Sequence, residues 1–512
     1  MKARALAVLG TGSDVGKSLI TAGLCRLFAR GSIRVAPFKA QNMSNNSFVT
    51  PDGKEIGRAQ ALQAQACGLD PDADMNPILM KPESDRSAQI VVQGEVWGKA
   101  EARTYFDQRT ELAERVRESY DRLAGQYDAV IIEGAGSAAE MNLRDRDLAN
   151  WSAVELADAQ VVLVADIDRG GVFAQVIGTL DLLAPHERAR VVGIIINKFR
   201  GDASLFNDGV RFIEQKTGLP ILGVVPMLRG LILDQEDAVD VESRRRVVFA
   251  KELVNIAVVL LPRMSNFTDF NPLIAESDVV LRYAATSADL DGADVIVIPG
   301  SKNTIDDLAY LRQSGMAASI GRHASDGAEV VGICGGYQML GRSIADPDRV
   351  EAGGEVEGFG LLDVTTRLAM TKTTQWVEGE SLEFEPQRCL PIRGYWIHMG
   401  QTTRCGARSC FHVRQMGGGA GQPGGRKESE FDGAVNETGL IWGTYVHGVF
   451  DLPDFRRAWI NRIRSRKSLP PLADVVSQGI SQSLGGQLDA WADHLQLHLN
   501  IKPLILAVST RT

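Results

Sequence analysis

The chain has 512 residues, too many for one ordinary core, so two or three domains are expected. Its apolar fraction of 44% and charged fraction of 23% are those of a globular protein, and a net charge of −9 excludes a general nucleic-acid binder. No apolar run approaches the length of a membrane span, and six cysteines in so long a chain make no disulfide framework, which places it in a reducing, cytoplasmic setting.

Residues 5–9 read as a buried strand running straight into Gly10-Thr11-Gly12-Ser13-Asp14-Val15-Gly16-Lys17-Ser18, an opening that belongs to a fold and not to a leader peptide. A helix follows, with Leu19, Ile20, Leu24, Leu27 and Phe28 at helical spacing. Strand, glycine loop, Gly-Lys-Ser and helix is the phosphate-binding arrangement. Amides around Gly12 and Gly16 cradle phosphate oxygens, Lys17 neutralises charge, and Ser18 can ligate magnesium. Here five residues separate Gly10 from Gly16, where the usual motif has four.

Further apolar runs end in polar residues: 129–132 before Glu133, 161–165 before Asp166 and Asp168, and 191–196 before Asn197. Continuous runs alternating with helical segments imply a parallel sheet covered on both faces, with ligands beyond the carboxyl ends of its strands. A carboxylate at that edge either ligates magnesium or caps a helix or turn. In Asn197-Lys198-Phe199-Arg200, arginine stands where a guanine-reading carboxylate would be, so adenine is the expected base.

Two amide- and charge-rich stretches interrupt this half. One, at 37–47, holds Lys39, Gln41 and Asn42; the other, at 141–150, holds Asp147. Each is either a solvated loop of turn formers or a set of contacts to a substrate or phosphate. A charged segment around 231–248 reads as an interdomain linker. A second sheet then begins with strands at 255–261, 294–299 and 329–333, and continues near 390–399 and 440–445. The glycine-rich run at 415–426 reads as a surface loop, and residues from 452 onward as helix. Cys389, Cys405, Cys410 and His412 are too loosely spaced for a recognisable zinc site.

The strand at 329–333 delivers Gly332-Ile333-Cys334-Gly335-Gly336, the pattern of a nucleophile elbow. A buried structural cysteine is the alternative, and the flanking glycines favour a nucleophile. The amide of Gly335 would face a developing oxyanion, with a second donor expected from Gly300 in the Pro299-Gly300-Ser301 loop. His447, at the end of the 440–445 strand, is the expected acceptor of the thiol proton; His398 is its competitor.

Gly332–Gln338 together with Thr444-Tyr445-Val446-His447-Gly448 resembles a class I (triad-type) glutamine amidotransferase domain. That family carries a glutamate two residues after the histidine. Here the position is Val449, which is similar to the branch serving cobalamin synthesis and leaves open what orients His447. The N-terminal half resembles the dethiobiotin synthetase-like ATPases, which share the longer phosphate loop. This resemblance implies that Glu133 ligates magnesium and that Asn197 reads adenine. The implied fold class is α/β in two domains, a P-loop parallel-sheet ATPase domain followed by a flavodoxin-like class I glutamine amidotransferase domain. The expected boundaries are 1–232 for the ATPase, 233–252 for a linker, 253–460 for the amidotransferase and 461–512 for a helical tail.

The stretches 37–47, 76–82, 142–150, 165–171, 265–270 and 299–304 are similar to those of cobalamin-synthesis amidoligases. The resemblance implies ATP, Mg2+, glutamine and a corrinoid a,c-diamide as ligands, with no nucleic acid, and the oligomeric state stays open. In such an enzyme four side-chain carboxylates (b, d, e and g) become acyl phosphates and are amidated by ammonia from Cys334. Ammonia must then reach the acyl phosphate before water does, which favours a sheltered path. Three other readings compete: an a,c-diamide-forming relative, a cell-wall amidotransferase, and a partitioning-type switch ATPase with a vestigial second domain. The loop at 37–47 argues against the first, and the intact Cys334 and His447 against the last.

Overall fold

The computed structural model of the chain describes residues 2–84, 86–101, 108–228, 230–233, 244–385, 388–416, 429–473 and 483–509. Half of the expected linker at 233–252 and most of the glycine-rich loop at 415–426 lie outside them. Two compact units emerge. One comprises Met1–Ser44, Glu55–Asp237 and Gln478–Thr512; the other comprises Asn45–Lys54 and Ala238–Ser477. They interleave along the chain. Ten residues of the N-terminal half go with the second unit, and the end of the tail goes with the first.

In the first unit six aliphatic runs form one parallel sheet: β1 (Arg4–Gly10), β2 (Val35–Phe38), β3 (Ala129–Glu133), β4 (Gln160–Asp166), β5 (Val191–Phe199) and β6 (Ile221–Pro226). Their spatial order is β6-β5-β4-β1-β3-β2. Alternation along β1 sends Ala5, Ala7 and Leu9 into one core and Leu6 and Val8 into another, so both faces of the sheet are buried. The order reverses beside β1, and the loop after it opens into the crevice where such sheets take ligands.

Helix α1 (Lys17–Arg30) covers one face and is itself covered by the C-terminal helix Leu484–His498. Leu488, Trp491 and Leu495 join the core there, and the Trp491 indole N–H donates to the Leu19 carbonyl at 2.7 Å. Arg26 makes a two-pronged pair with Asp489 at 2.8 and 3.0 Å. The tail therefore completes the core of the first unit. Trp491→Ala is expected to cost about 3–5 kcal/mol of stability. Asp489→Ala, at a pair that solvent reaches, should cost under about 1 kcal/mol. Denaturant unfolding of the two variants checks the contrast.

The second unit is built on β7 (Val254–Val259), β8 (Val279–Ala284), β9 (Val295–Ile298), β10 (Glu329–Ile333), β11 (Ala434–Val435) and β12 (Ile441–Thr444), in the order β8-β7-β9-β10-β12-β11. The first five in that order are parallel and follow the flavodoxin-like 2-1-3-4-5 pattern, with β11 antiparallel at the edge. A second, largely antiparallel sheet contains the long pair Val364–Ser381 and Pro391–Arg404. The strand expected near 390–399 belongs to that pair; its 18-residue partner was not anticipated. Among the described residues, no helix is long and apolar enough to cross a membrane.

Candidate active sites

At the end of β1 the loop turns through Gly16 at φ +93°, where a Cβ would stand 2.3 Å from Asn197 Nδ2. Only glycine fits. The Asn197 amide donates to the Val15 carbonyl at 2.9 Å, fastening the loop to the end of β5. Lys17 Nζ donates to the carbonyls of Gly12 and Gly136, both at 2.9 Å, and so arches over the loop.

Glu133, wholly buried at the end of β3, is the hub. It accepts from Ser18 Oγ at 2.7 Å, Lys39 Nζ at 3.0 Å, Gln60 Nε2 at 3.2 Å and Gln63 Nε2 at 2.5 Å. Burial disfavours its charge, but Lys39 and these donors outweigh that and hold the carboxyl below the usual range. Asn42 extends the network by donating to Gln60 Oε1 at 2.9 Å. Sequence reasoning missed Gln60 and Gln63. Their signal is two glutamines three apart in an alanine-rich helix, Arg58–Ala66, that is otherwise apolar on its inner face.

A cavity of about 980 Å³ is lined by Lys17, Ser18, Lys39, Glu133, Gln41 and Asn42, by Arg144 and Arg146, and by the apolar side chains of Met43, Met80, Met141, Leu143 and Leu182. Four of these, Met43, Met141, Leu143 and Leu182, expose more than a third of their surface. Asp147 lines this cavity, but its oxygens accept from the amides of Ala149, Asn150 and Ser152 at 2.9–3.3 Å, capping the start of helix Trp151–Ala157. Asp166 and Asp168 pair with Lys198 and Arg200 at 3.1 and 2.6 Å.

The elbow in the second unit is built as a strained turn. Cys334, between β10 and helix Gly335–Leu340, has φ 49° and ψ −106°. The turn lies so close to β9 that a Cβ on Gly336 would meet the Ile298 carbonyl at 1.9 Å. Gly335 packs on the Ser301 amide, and Gly300, paired with Ser265, borders the His447 ring: a Cβ there would be 3.3 Å from His447 Cε1. Cys334, His447, Gly300 and Gly335 thus meet in one place.

The Cys334 thiol donates to the Ile397 carbonyl at 3.6 Å and interacts with the His447 ring, whose Nδ1 lies 2.7 Å from Asp269 Oδ2. The other Asp269 oxygen accepts from the Gly448 amide at 3.1 Å. Burial works against the imidazolium, but the Asp269 charge and these hydrogen bonds prevail and push the ring up to about 10. Asp269 is the orienting carboxylate that the sequence left open. It comes from the turn Phe267–Phe270, while Val449, at the family's glutamate position, is buried. His398 is a different kind of residue. It is buried, bonded through Nδ1 to the Gly400 carbonyl at 2.8 Å, stacked 3.9 Å from Tyr445, and pushed by burial down to about 4. It is a neutral ring.

Residues 6–238 match the CobQ/CobB/MinD/ParA nucleotide binding domain, and residues 255–455 match the CobB/CobQ-like glutamine amidotransferase domain. Fold and sites together define a glutamine-dependent amidoligase that uses ATP. Over 507 residues the chain is 47% identical to the cobyric acid synthase of Citrobacter koseri, covering 98% of this chain and 97% of that one. It is 46% identical over 505 residues to that of Salmonella typhimurium, covering 97% of each. The chain belongs to the cobyric acid synthase family, whose reaction is glutamine-dependent amidation in cobalamin synthesis. Among solved structures, a chain of PurLQS from Thermotoga maritima aligns with 41% of this chain and 98% of its own, at 18% identity and a TM-score of 0.31.

Proposed function

We propose that the protein amidates the b, d, e and g carboxylates of adenosylcobyrinic acid a,c-diamide in the cytoplasm, each through an acyl phosphate and each with ammonia made at Cys334. The observation that supports this reading most is the cavity beside the phosphate loop. Its lining combines the hydrogen-bonded groups around Glu133 with apolar side chains, of which Met43, Met141, Leu143 and Leu182 are exposed. Exposed apolar clusters mark contact surfaces. The methylated face of a corrin macrocycle suits these apolar side chains, while its carboxylate arms suit Lys39, Gln41 and Asn42. Methionines adapt to more than one docked orientation, which suits an acceptor that must present four carboxylates in turn.

In the ATPase unit a corrinoid carboxylate attacks the γ-phosphorus of ATP, the β–γ bridging bond breaks, and ADP leaves. Lys17 and Lys39 balance the charge on the transferring phosphoryl group. The Asn197 carbonyl oxygen is the group proposed to read the adenine amine, its amide nitrogen being engaged with Val15. Ser18 Oγ and Glu133 Oε1, 2.7 Å apart, are hard oxygen donors that fit magnesium, which when bound supplies further charge neutralisation. Asp147 holds the loop that forms one cavity wall. Ammonia then attacks the acyl carbon and phosphate departs.

In the glutaminase unit Cys334 Sγ, its proton already passed to His447, attacks the amide carbon of glutamine, and Asp269 stabilises the imidazolium. The amides of Gly335 and Gly300 receive the oxyanion. His447 returns the proton to the leaving ammonia, and water hydrolyses the thioester to glutamate. Hydroxylamine trapping tests the nucleotide half on its own. With ATP, magnesium and corrinoid but no glutamine, a corrinoid hydroxamate is expected; ATP turnover without any hydroxamate would contradict the acyl phosphate.

A further inference from the structure

The segment 45–54 links chemistry in one unit to geometry in the other. Ser44 is still anchored in the first unit, its amide donating to the Met80 carbonyl at 3.0 Å. From Asn45 the chain packs with the second unit. Asn46 Oδ1 accepts from the Phe267 amide at 3.1 Å, and the Ser47 amide donates to Asn266 Oδ1 at 2.9 Å, a reciprocal clasp between buried residues. Asn266 holds a left-handed φ of 51° at the head of the turn that carries Asp269.

The same segment braces His447 from a second side. The Tyr395 hydroxyl donates to the Ser47 carbonyl at 3.3 Å, and the Phe48 ring packs on Tyr395 and Trp376 at 5.6 and 5.3 Å. Tyr395 in turn stacks on His447 at 5.6 Å and exchanges both backbone hydrogen bonds with it, at 3.0 and 3.1 Å. The Trp376 indole N–H donates to the Val49 carbonyl at 2.7 Å. An apolar plug would fill such a groove without setting a register. Directional bonds between buried amides specify one position of the turn.

We propose that Asn46 is a positioning residue of the glutaminase centre, and that the clasp reports to Asp269 and His447 the state of the acceptor-side residues Gln41 and Asn42. Only three residues separate Asn42 from Asn46, so a shift at one finds little slack before it reaches the other. Acceptor and ATP in the first unit thereby tighten the clasp and raise glutamine hydrolysis in the second. The inference rests on the functional reading above.

The test uses full-length Asn46→Ala and Asn46→Asp, the latter keeping an acceptor oxygen for the Phe267 amide. Glutamine hydrolysis is measured with and without ATP, magnesium and cobyrinic acid a,c-diamide, alongside amidation driven by ammonium chloride. In the wild type, acceptor plus ATP should stimulate hydrolysis. In Asn46→Ala the stimulated kcat should fall about tenfold with KM for glutamine within about twofold, and the stimulation ratio should approach one. The alkaline limb of its pH profile should move to lower pH as Asp269 loosens from His447. Ammonia-driven amidation should stay within about twofold, and Asn46→Asp should recover most of the loss. An unstimulated wild type, an unchanged Asn46→Ala, parallel loss of hydrolysis and ammonia-driven amidation, or a loss without pH shift or aspartate rescue would each overturn the proposal. If the wild type amidates no corrinoid with either nitrogen source, the functional reading fails instead, and the kcat and pH effects on glutamine hydrolysis still judge the clasp.

Discussion

Cys334→Ala is expected to abolish glutamine-dependent amidation while leaving amidation from ammonium salts intact. Cys334 Sγ is the sulfur held at the elbow beside His447, and removing a nucleophile of this kind costs on the order of 10⁵–10⁶ in kcat. The first unit contains none of the elbow, and its Ser18–Glu133–Lys39 network is untouched by the change. Product formation at saturating ammonium should therefore match the wild type at alkaline pH, where free ammonia is abundant. Loss of both activities would mean that Cys334 does more than release nitrogen. Serine at this position should be nearly as poor as alanine, because a neutral hydroxyl is a far weaker nucleophile than a thiolate.

Asp269→Asn is expected to lower glutamine hydrolysis by on the order of 10³–10⁴. Two donors face the two carboxylate oxygens, His447 Nδ1–H at 2.7 Å and the Gly448 amide at 3.1 Å. Asparagine offers one acceptor oxygen, so its NH₂ must oppose one of the donors. Either the imidazole takes the wrong tautomer or the loop after it loses its anchor. The pH profile separates this effect from a loss of packing. In the wild type the imidazolium is held up to about 10, so the protonated ring that serves the leaving ammonia is lost only as pH rises through that value. Without the carboxylate the largest influence raising the ring is gone, burial still lowers it, and only the contact with Cys334 opposes burial. The alkaline limb should therefore move to lower pH, and ammonium-driven amidation should be unaffected. A variant with full hydrolysis and an unmoved limb would remove Asp269 from the mechanism.

The elements that sequence reading reached are those written in local pattern. Lys17 and Ser18 follow a glycine loop whose geometry is dictated within nine residues, and the structure brings them to Glu133 at the end of a neighbouring strand. Cys334 is legible because a positive-φ turn needs its flanking glycines, and His447 because it ends an apolar run beside it. Asp269 was not legible as the orienting group. It lies 178 residues from His447 and no spacing rule joins them, although its stretch at 265–270 had stood out. Gln60 and Gln63 were missed because a buried polar face in an alanine-rich helix resembles an exposed one until Glu133 is placed beneath it. The strand Val364–Ser381 escaped because most of it is only half-buried and its Thr, Lys and Glu residues blur the two-residue alternation. For the helix Leu484–His498 the pattern tells that one face is buried but not against what; its partner, α1, begins the chain.

Amide-¹⁵N glutamine, supplied with unlabelled ammonium chloride, ATP, magnesium and the corrinoid a,c-diamide, tests the central claim most directly. Mass spectrometry of the product should find four added amides, with ¹⁵N in each at far above the proportion set by mixing with bulk ammonium. A product with fewer amides at completion, or one whose nitrogen is drawn from the bulk pool, would contradict the account of Cys334 as the nitrogen source for four acyl phosphates.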